Sequence, residues 1–96
     1  MKTYMETSFG SLEPLLEHEG KLVAELATFH KEGRSHTHDD WEICYVIKGE
    51  GIIISGENKH GVKEGSVVLI PPKTGHWMIQ SGDKELKILL VYSKNR

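Results

Sequence analysis

The chain has 96 residues, and its 12 lysines and arginines nearly balance 14 aspartates and glutamates. This length suits one domain with a single core, and the charge lacks the strongly basic face that nucleic-acid binding requires. No apolar run approaches the roughly 20 residues that span a bilayer, the polar N-terminus leads us to expect no signal peptide, and one cysteine excludes an intrachain disulfide. We therefore expect a cytoplasmic protein that binds neither nucleic acid nor membranes.

The first 20 residues show weak periodicity. Leu12, Leu15 and Leu16 permit a short helical turn or an irregular arm, and Pro14 limits the length of any element there. We expect residues 1–20 to form an N-terminal arm that packs on the rest of the fold or on a partner subunit. Residues 21–96 are then the single domain.

From residue 21 the pattern is that of β-strands. Residues 21–29 alternate in a way that suits a strand with a buried face, and residues 41–47 are rich in β-branched and aromatic side chains. Gly49 and Gly51 predict a hairpin into a return strand over residues 51–55. Further short strands are predicted at residues 60–62, 66–70, 76–80 and 85–92. Such strands, with turns every eight to twelve residues, indicate an all-β antiparallel sandwich or barrel.

The stretch from His36 to Glu42 carries the chemistry. In an extended strand, side chains two apart share a face, so His36, His38 and Glu42 would point at a common locus. The all-β pattern favours this strand geometry over a helix, in which the two histidines would splay apart. His76 opens a strand after a Pro-Gly loop, so we predict that it supplies a fourth ligand.

Three imidazoles and one carboxylate suit a divalent transition metal. Imidazole binds zinc, copper, iron and nickel, and the carboxylate extends the range to manganese. This donor set leaves one or two positions open on a five- or six-coordinate ion, and open positions let a metal polarise a substrate or activate water. A closed structural zinc site would more often be rich in cysteine.

These residues give the sequence a specific resemblance to the cupin superfamily of small β-barrels. The first cupin motif is matched by His36, His38, Glu42 and Gly49, and the second runs from Gly65 through Pro71 to His76. The resemblance implies an antiparallel double-stranded β-helix, or jelly-roll barrel, over residues 21–96. It also implies that His36, His38, Glu42 and His76 hold one divalent transition metal per chain.

Four further residues are candidates for a substrate pocket beside that metal. Cys44 has the parity to face inward, although a buried cysteine usually behaves as a small hydrophobe. Met78 and Gln80 share the parity of His76, and His30 is a weaker candidate because it lies at a strand end.

The resemblance leaves three kinds of function open. The first is a metal-dependent enzyme that acts on a small oxygenated organic compound, dioxygenase-like or, as the alternative, an isomerase or lyase. The second is a binding protein that holds a sugar or carboxylate without turnover. The third is a metal-free structural or interaction protein, and the sequence alone does not separate enzyme from binder.

The residues that alternate with the predicted ligands form an apolar surface that another part of the protein, or a partner, must bury. Trp41, Ile43, Tyr45 and Ile47 would point out of a barrel, where they form a larger apolar patch than monomers normally expose. Either the N-terminal arm covers them or they form a two-fold interface, and the resemblance favours a homodimer.

Overall fold

The computed structural model describes residues 5–93, and this part of the chain consists of β-strands and connecting turns without a helix. The absence of helices from these residues leaves no helical segment that could cross a membrane. The nine strands, in chain order, are β1 Met5–Glu6, β2 Gly10–His18, β3 Lys21–Phe29, β4 Trp41–Lys48, β5 Glu50–Ser55, β6 Asn58–Lys63, β7 Val67–Ile70, β8 His76–Ser81 and β9 Leu86–Ser93.

The strands form two antiparallel sheets that face each other. The larger sheet has six strands in the order β1-β2-β3-β9-β4-β7, and the smaller has three in the order β6-β5-β8. Strands adjacent in space are mostly distant in sequence, as in β4 with β9 and β5 with β8. This is the jelly-roll arrangement, and it confirms the predicted all-β fold.

The core lies between the sheets and is filled by alternate residues of each strand. Ala27, Val46 and Ile88 come from the larger sheet, whereas Ile53 and Met78 come from the smaller one. The alternation in β4 is complete from Glu42 to Val46, with even-numbered residues buried and odd-numbered ones exposed. Because the period of a strand is two, this register decides which chemistry points inward.

The N-terminal prediction of a helical turn or an irregular arm is wrong for residues 10–18. These residues form β2, which pairs with β3 along its length and so joins the larger sheet. Among residues 5–93, β1 pairs only with Ser11 and Leu12, so no described strand on that side of β2 needs the N–H that Pro14 lacks. The pairing is irregular between Pro14 and Glu17, and this irregularity obscured the alternation in the sequence.

The predicted hairpin at residues 48–51 is also wrong. β4 pairs with β7 and β9, whereas β5 pairs with β6 and β8, so the chain changes sheets at Gly49. Gly49 has φ 83°, and a Cβ there would lie 2.3 Å from the carbonyl oxygen of Glu85. The glycine therefore marks a corner of the barrel rather than a hairpin turn.

Candidate metal centre

The stretch from His36 to Glu42 crosses from one sheet to the other, and is not the continuous strand that we predicted. His36 exchanges two backbone hydrogen bonds with His76 of β8, at 3.1 and 3.0 Å. Asp39 and Asp40 then form a bend, and Glu42 lies in β4 of the larger sheet. The bend brings side chains from both sheets together, which strand parity alone could not have indicated.

The structure brings together all four residues of the predicted ligand set. One ligand atom from each of His36, His38, Glu42 and His76 lies within 4.8 Å of the others, so the group can hold a metal ion. Glu42 and His76 are fully buried, His38 is half-buried and His36 is exposed. The loop before His76 is fixed by a 2.7 Å hydrogen bond from the Lys73 N–H to the carbonyl of His38.

Backbone carbonyls set the orientation of all three imidazoles. Nδ1 of His36 lies 3.1 Å from the carbonyl oxygen of Arg34, Nδ1 of His38 lies 3.0 Å from that of Asp40, and Nδ1 of His76 lies 2.8 Å from that of Thr74. A carbonyl only accepts hydrogen bonds, so each Nδ1 carries the hydrogen. In the neutral imidazoles Nε2 therefore has its lone pair free.

Two of these nitrogens, those of His38 and His76, face the carboxylate of Glu42. Oε1 of Glu42 is 2.8 Å from Nε2 of His38 and 3.2 Å from Nε2 of His76. The second of these contacts lacks hydrogen-bonding geometry, and Nε2 of His76 is buried without a hydrogen-bond partner among the described residues. A carboxylate facing neutral imidazole lone pairs is repulsive unless a proton or a cation lies between them.

Without a metal, a proton on His76 can remove this repulsion. Burial lowers the pKa of His76, but the Glu42 carboxylate and the Thr74 carbonyl outweigh it and hold the pKa above its ordinary value of 6.5. Burial likewise raises the pKa of Glu42, but its contacts with His76, His38 and Cys44 bring the net pKa below the ordinary 4.5. The metal-free centre thus favours an ionised Glu42 beside a protonated His76.

The donor set also fits a divalent metal. Each imidazole is oriented by a hydrogen bond from its other nitrogen, as is usual for metal-ligating histidines. The buried and partnerless Nε2 of His76 is the type of atom that an ion would satisfy. Nitrogen and oxygen donors without thiolate are compatible with iron, manganese, nickel, copper or zinc.

Cys44 supports Glu42 rather than lining a pocket. Its Sγ lies in the core, 3.3 Å from Oε2 of Glu42, to which it donates. Burial and the charge of Glu42 raise the pKa of the thiol, so it remains protonated. Cys44 therefore holds the oxygen of Glu42 that does not face His38 and His76.

The other three pocket candidates lie in different places. Met78 lines a cavity of about 280 Å³ that also contains His36. The Gln80 side chain instead donates to the carbonyls of Ser81, Gly82 and Lys84 and so holds the β8–β9 turn. His30 lies on the outer face, where its Nε2 is 3.7 Å from Glu85.

A buried carboxylate near the centre was missed in the sequence. Glu25 of β3 is 8% exposed, and its Oε2 accepts a 2.5 Å hydrogen bond from the Tyr92 hydroxyl. Both residues line the 280 Å³ cavity and a second, more open cavity of about 560 Å³, and both cavities also contain His36. The available signal was that Glu25 shares parity with Ala27 and Phe29, a charged residue on the apolar face of a strand.

The Tyr92 hydroxyl donates to Glu25 where both residues line these two cavities. Burial, followed by the charges of Glu42 and Glu25, raises its pKa. Its ring packs edge-on against His38, with ring centroids 5.5 Å apart. Tyr92 thus joins the Glu25 carboxylate to the histidine cluster.

Comparison with known proteins gives the same fold and a set of relatives. Residues 23–92 match the family model described as a cupin domain. The fold superimposes with a TM-score of 0.79 on an RmlC-like cupin from Shewanella frigidimarina, at 23% identity over 97% of this chain and 84% of that one.

Relatives that are similar in sequence include the following two proteins. An uncharacterized protein of Methanocaldococcus jannaschii is 26% identical over 88% of this chain and 82% of its own length. The acireductone dioxygenase of Leptospira biflexa is 35% identical over 73% of this chain, but the match spans only 40% of that enzyme.

Proposed function

This chain belongs to the cupin family, and from that premise we propose that it is a metal-dependent, dioxygenase-like enzyme acting on a small oxygenated organic compound. One divalent transition metal per chain would be held by His36, His38, Glu42 and His76. The observation that carries the proposal is the group of four ligand atoms within 4.8 Å of one another, in which Nε2 of His38 and of His76 face the Glu42 carboxylate and each Nδ1 is already bonded to a carbonyl. A cation held between these donors would remove the repulsion between the carboxylate and the imidazole lone pairs.

The residues of this site would have separate roles in holding the metal and in contacting the ligand. The bound metal would supply open coordination positions that polarise or activate oxygen-containing ligands. Glu42 and His76 are buried and hold the inner side, whereas His36 is exposed and borders both cavities. The Tyr92 hydroxyl and the Glu25 carboxylate form the wall where a ligand proton can be held.

The relatives support oxygen chemistry in particular. The bacterial protein that is 35% identical over most of this chain is named an acireductone dioxygenase. Because the match spans only 40% of that enzyme, the likeness extends to part of the enzyme and not to the whole. A dioxygenase-like reaction is therefore our proposal for this centre.

A metal-reconstitution series tests the proposal. Protein purified without a histidine tag is stripped and reloaded with iron, manganese, nickel, copper or zinc, and oxygen uptake is measured against a panel of enediols, phenols and organic acids. We expect uptake with one or more redox-active metals and none with zinc. The variant His36→Ala should lose stoichiometric metal and uptake, whereas His18→Ala, an exposed histidine outside the cluster, should keep both.

Each other outcome has a defined meaning. Stoichiometric metal and ligand-induced thermal shifts without turnover would replace the enzyme with a sugar- or carboxylate-binding cupin. Conversion of a substrate without oxygen uptake would indicate an isomerase or lyase. Absence of metal from both the parent and His36→Ala would overturn the metal centre.

We also propose that the chain forms a homodimer through the outer surface of β4 and β7, here called the β4–β7 face. Ile43, Tyr45 and Ile47 on β4 and Val67 and Leu69 on β7 are all exposed. Ile43 lies opposite Leu69 and Tyr45 opposite Val67, so these side chains form one continuous apolar surface.

Strands β1 and β2 lie beyond β3 and β9 in the same sheet, and so do not cover this face. A two-fold partner would bury it and remove an apolar patch that monomers rarely expose. The cytoplasm remains our proposed compartment, since a free buried thiol at Cys44 is compatible with a reducing environment.

A further inference from the structure

Apolar and charged side chains together line the 280 Å³ cavity beside His36. The apolar ones are Phe29, Met78 and Leu90 of the core, together with Phe9 and Leu12. Phe9 stacks on Phe29 with ring centroids 4.9 Å apart, which gives the cavity an aromatic wall. Small-molecule sites typically combine such walls with a few polar groups that fix orientation.

Arg34, Glu25 and His36 are the charged and ionisable residues of the cavity lining. Arg34 forms no ion pair within residues 5–93, although its guanidinium suits bidentate binding of a carboxylate. The Glu25 carboxylate accepts from Tyr92, and Tyr92 remains protonated. Among residues 5–93 the Arg34 guanidinium therefore has no carboxylate partner that would compete with a ligand.

Charge balance defines what kind of ligand fits. A divalent metal and Arg34 bring three positive charges, and the Glu25 and Glu42 carboxylates bring two negative ones. A ligand with one negative charge neutralises the excess, whereas a dianion would leave a negative charge partly desolvated, at a cost.

We propose that this cavity selects small amphiphilic monoanions, carboxylates with a short apolar tail. Arg34 and the metal held at His36 attract the carboxylate, and the tail packs against Phe29, Met78 and Leu90. This inference rests on the proposed metal centre and specifies the substrate class of that centre. It makes Arg34 a specificity-determining residue.

Calorimetric titration of the zinc-loaded protein tests the inference, because zinc is redox-inert and no turnover interferes. The probes are acetate, butanoate and hexanoate, with hexanamide as the uncharged equivalent of the longest acid. We expect affinity to rise by about two- to four-fold per methylene as the tail is buried. Hexanamide should bind at least ten-fold more weakly than hexanoate.

Two variants locate the two ends of the ligand. Arg34→Gln should weaken hexanoate about ten-fold while keeping the increase with chain length, and Lys31→Gln, which removes an exposed charge of the same loop, should have no effect. Ala27→Leu fills the cavity and should abolish the chain-length increase while acetate still binds. Leu12→Trp does the same from a half-buried position, in case Ala27→Leu does not fold.

Equal affinities for acetate, hexanoate and hexanamide would overturn the inference, as would equal behaviour of Arg34→Gln and Lys31→Gln. Zinc binding is titrated separately on the same samples. If zinc binds stoichiometrically but affinity does not depend on chain length, only the proposed selectivity of the cavity is wrong. If zinc does not bind, the proposed metal-dependent function is wrong, and so is the proposed attraction of the carboxylate by the metal.

Discussion

Glu42 is the residue on which the centre depends, because it places a carboxylate among three imidazoles inside a β-barrel. Its two oxygens have separate partners. Oε2 accepts from Cys44, and Oε1 faces His38 and His76. The oxygen that can bind a metal is thus held in position by a contact that is independent of the metal.

The variant Glu42→Gln should show a pH-dependent change in the stability of the metal-free protein. The raised folded-state pKa of His76 contributes stability below the unfolded value of 6.5, and this contribution is lost as pH rises through the folded pKa. The lowered pKa of Glu42 contributes above 4.5 and is lost as pH falls through the folded value. The pair therefore stabilises the fold between the lowered pKa of Glu42 and the raised pKa of His76.

We expect Glu42→Gln to be less stable than the parent by about 1–3 kcal/mol at pH 6, where it breaks the buried pair. At a pH above the raised pKa of His76 the glutamine should be no less stable, because its amide can donate to a neutral imidazole that a carboxylate would repel. Urea denaturation in the presence of a chelator at both pH values measures this difference. The same deficit at both pH values would contradict it.

Cys44 should be chemically inert in the folded protein. It is fully buried, and burial and Glu42 raise the pKa of its thiol, so almost no thiolate forms near neutral pH. A chromogenic disulfide reagent should react with it only after denaturant is added. Reaction at the same rate in native and denaturing buffer would show that the thiol is accessible.

At the level of elements, close strand packing gives two glycines very different tolerance to substitution by alanine. A Cβ on Gly51 of β5 would lie 2.2 Å from the carbonyl oxygen of Ile79, whereas one on Gly61 of neighbouring β6 would meet nothing within 4 Å. Gly51→Ala should cost about 1–3 kcal/mol because the β5–β8 pair must separate. Gly61→Ala should stay within about 0.5 kcal/mol, and chemical denaturation of both variants checks the contrast.

The β4–β7 face gives a second element-level prediction. Leu69 of β7 and Leu16 of β2 are similarly exposed, at 53% and 55%, but only Leu69 lies on this face. Leu69→Glu should convert the proposed dimer to a monomer in sedimentation velocity, because a charge within an apolar interface is desolvated without a partner. Leu16→Glu should remain dimeric, and dissociation of both variants would place the interface elsewhere.

The strands could be predicted from the sequence, but their pairing could not. Local alternation locates β3, β4 and β9 well, because each has a buried face with period two. It does not reveal that β4 and β5 lie in different sheets, since a glycine corner and a hairpin turn have the same local composition. Pairing is set by contacts between residues far apart in the chain.

The same division applies to the site. The identities of His36, His38, Glu42 and His76 follow from motif spacing, and they do meet in space. The backbone path from His36 to Glu42 does not follow from that spacing, because a bend at Asp39 and Asp40 replaces the expected strand. Glu25 and Arg34 were missed because only the packing of β3 and the loop around a cavity shows their relation to His36.

For the whole molecule, metal binding at the proposed centre would be linked to folding. Four groups from β4, β8 and the loop between β3 and β4 lie with their ligand atoms within 4.8 Å of one another, and a metal that bound only the folded state would add its binding free energy to stability. At a free metal concentration 100 times the dissociation constant, the gain is about 2.7 kcal/mol.

For a domain of this size, that gain corresponds to a rise in Tm of roughly 10–20 °C. Differential scanning calorimetry with zinc, and again after chelation, measures the shift. His18→Ala should show the same shift and His36→Ala little of it. An equal shift in both variants would place the stabilising ion outside the cluster.

The crossing of the chain between the sheets also bears on how readily the two sheets separate at the proposed metal centre. Glu42 belongs to the larger sheet, whereas His36 and His76 pair beside the smaller one. An ion held by all three would join the sheets, so that they could not separate at that end before a metal–ligand bond broke. The rate of that separation would then be governed by ligand exchange at the ion rather than by local unfolding alone.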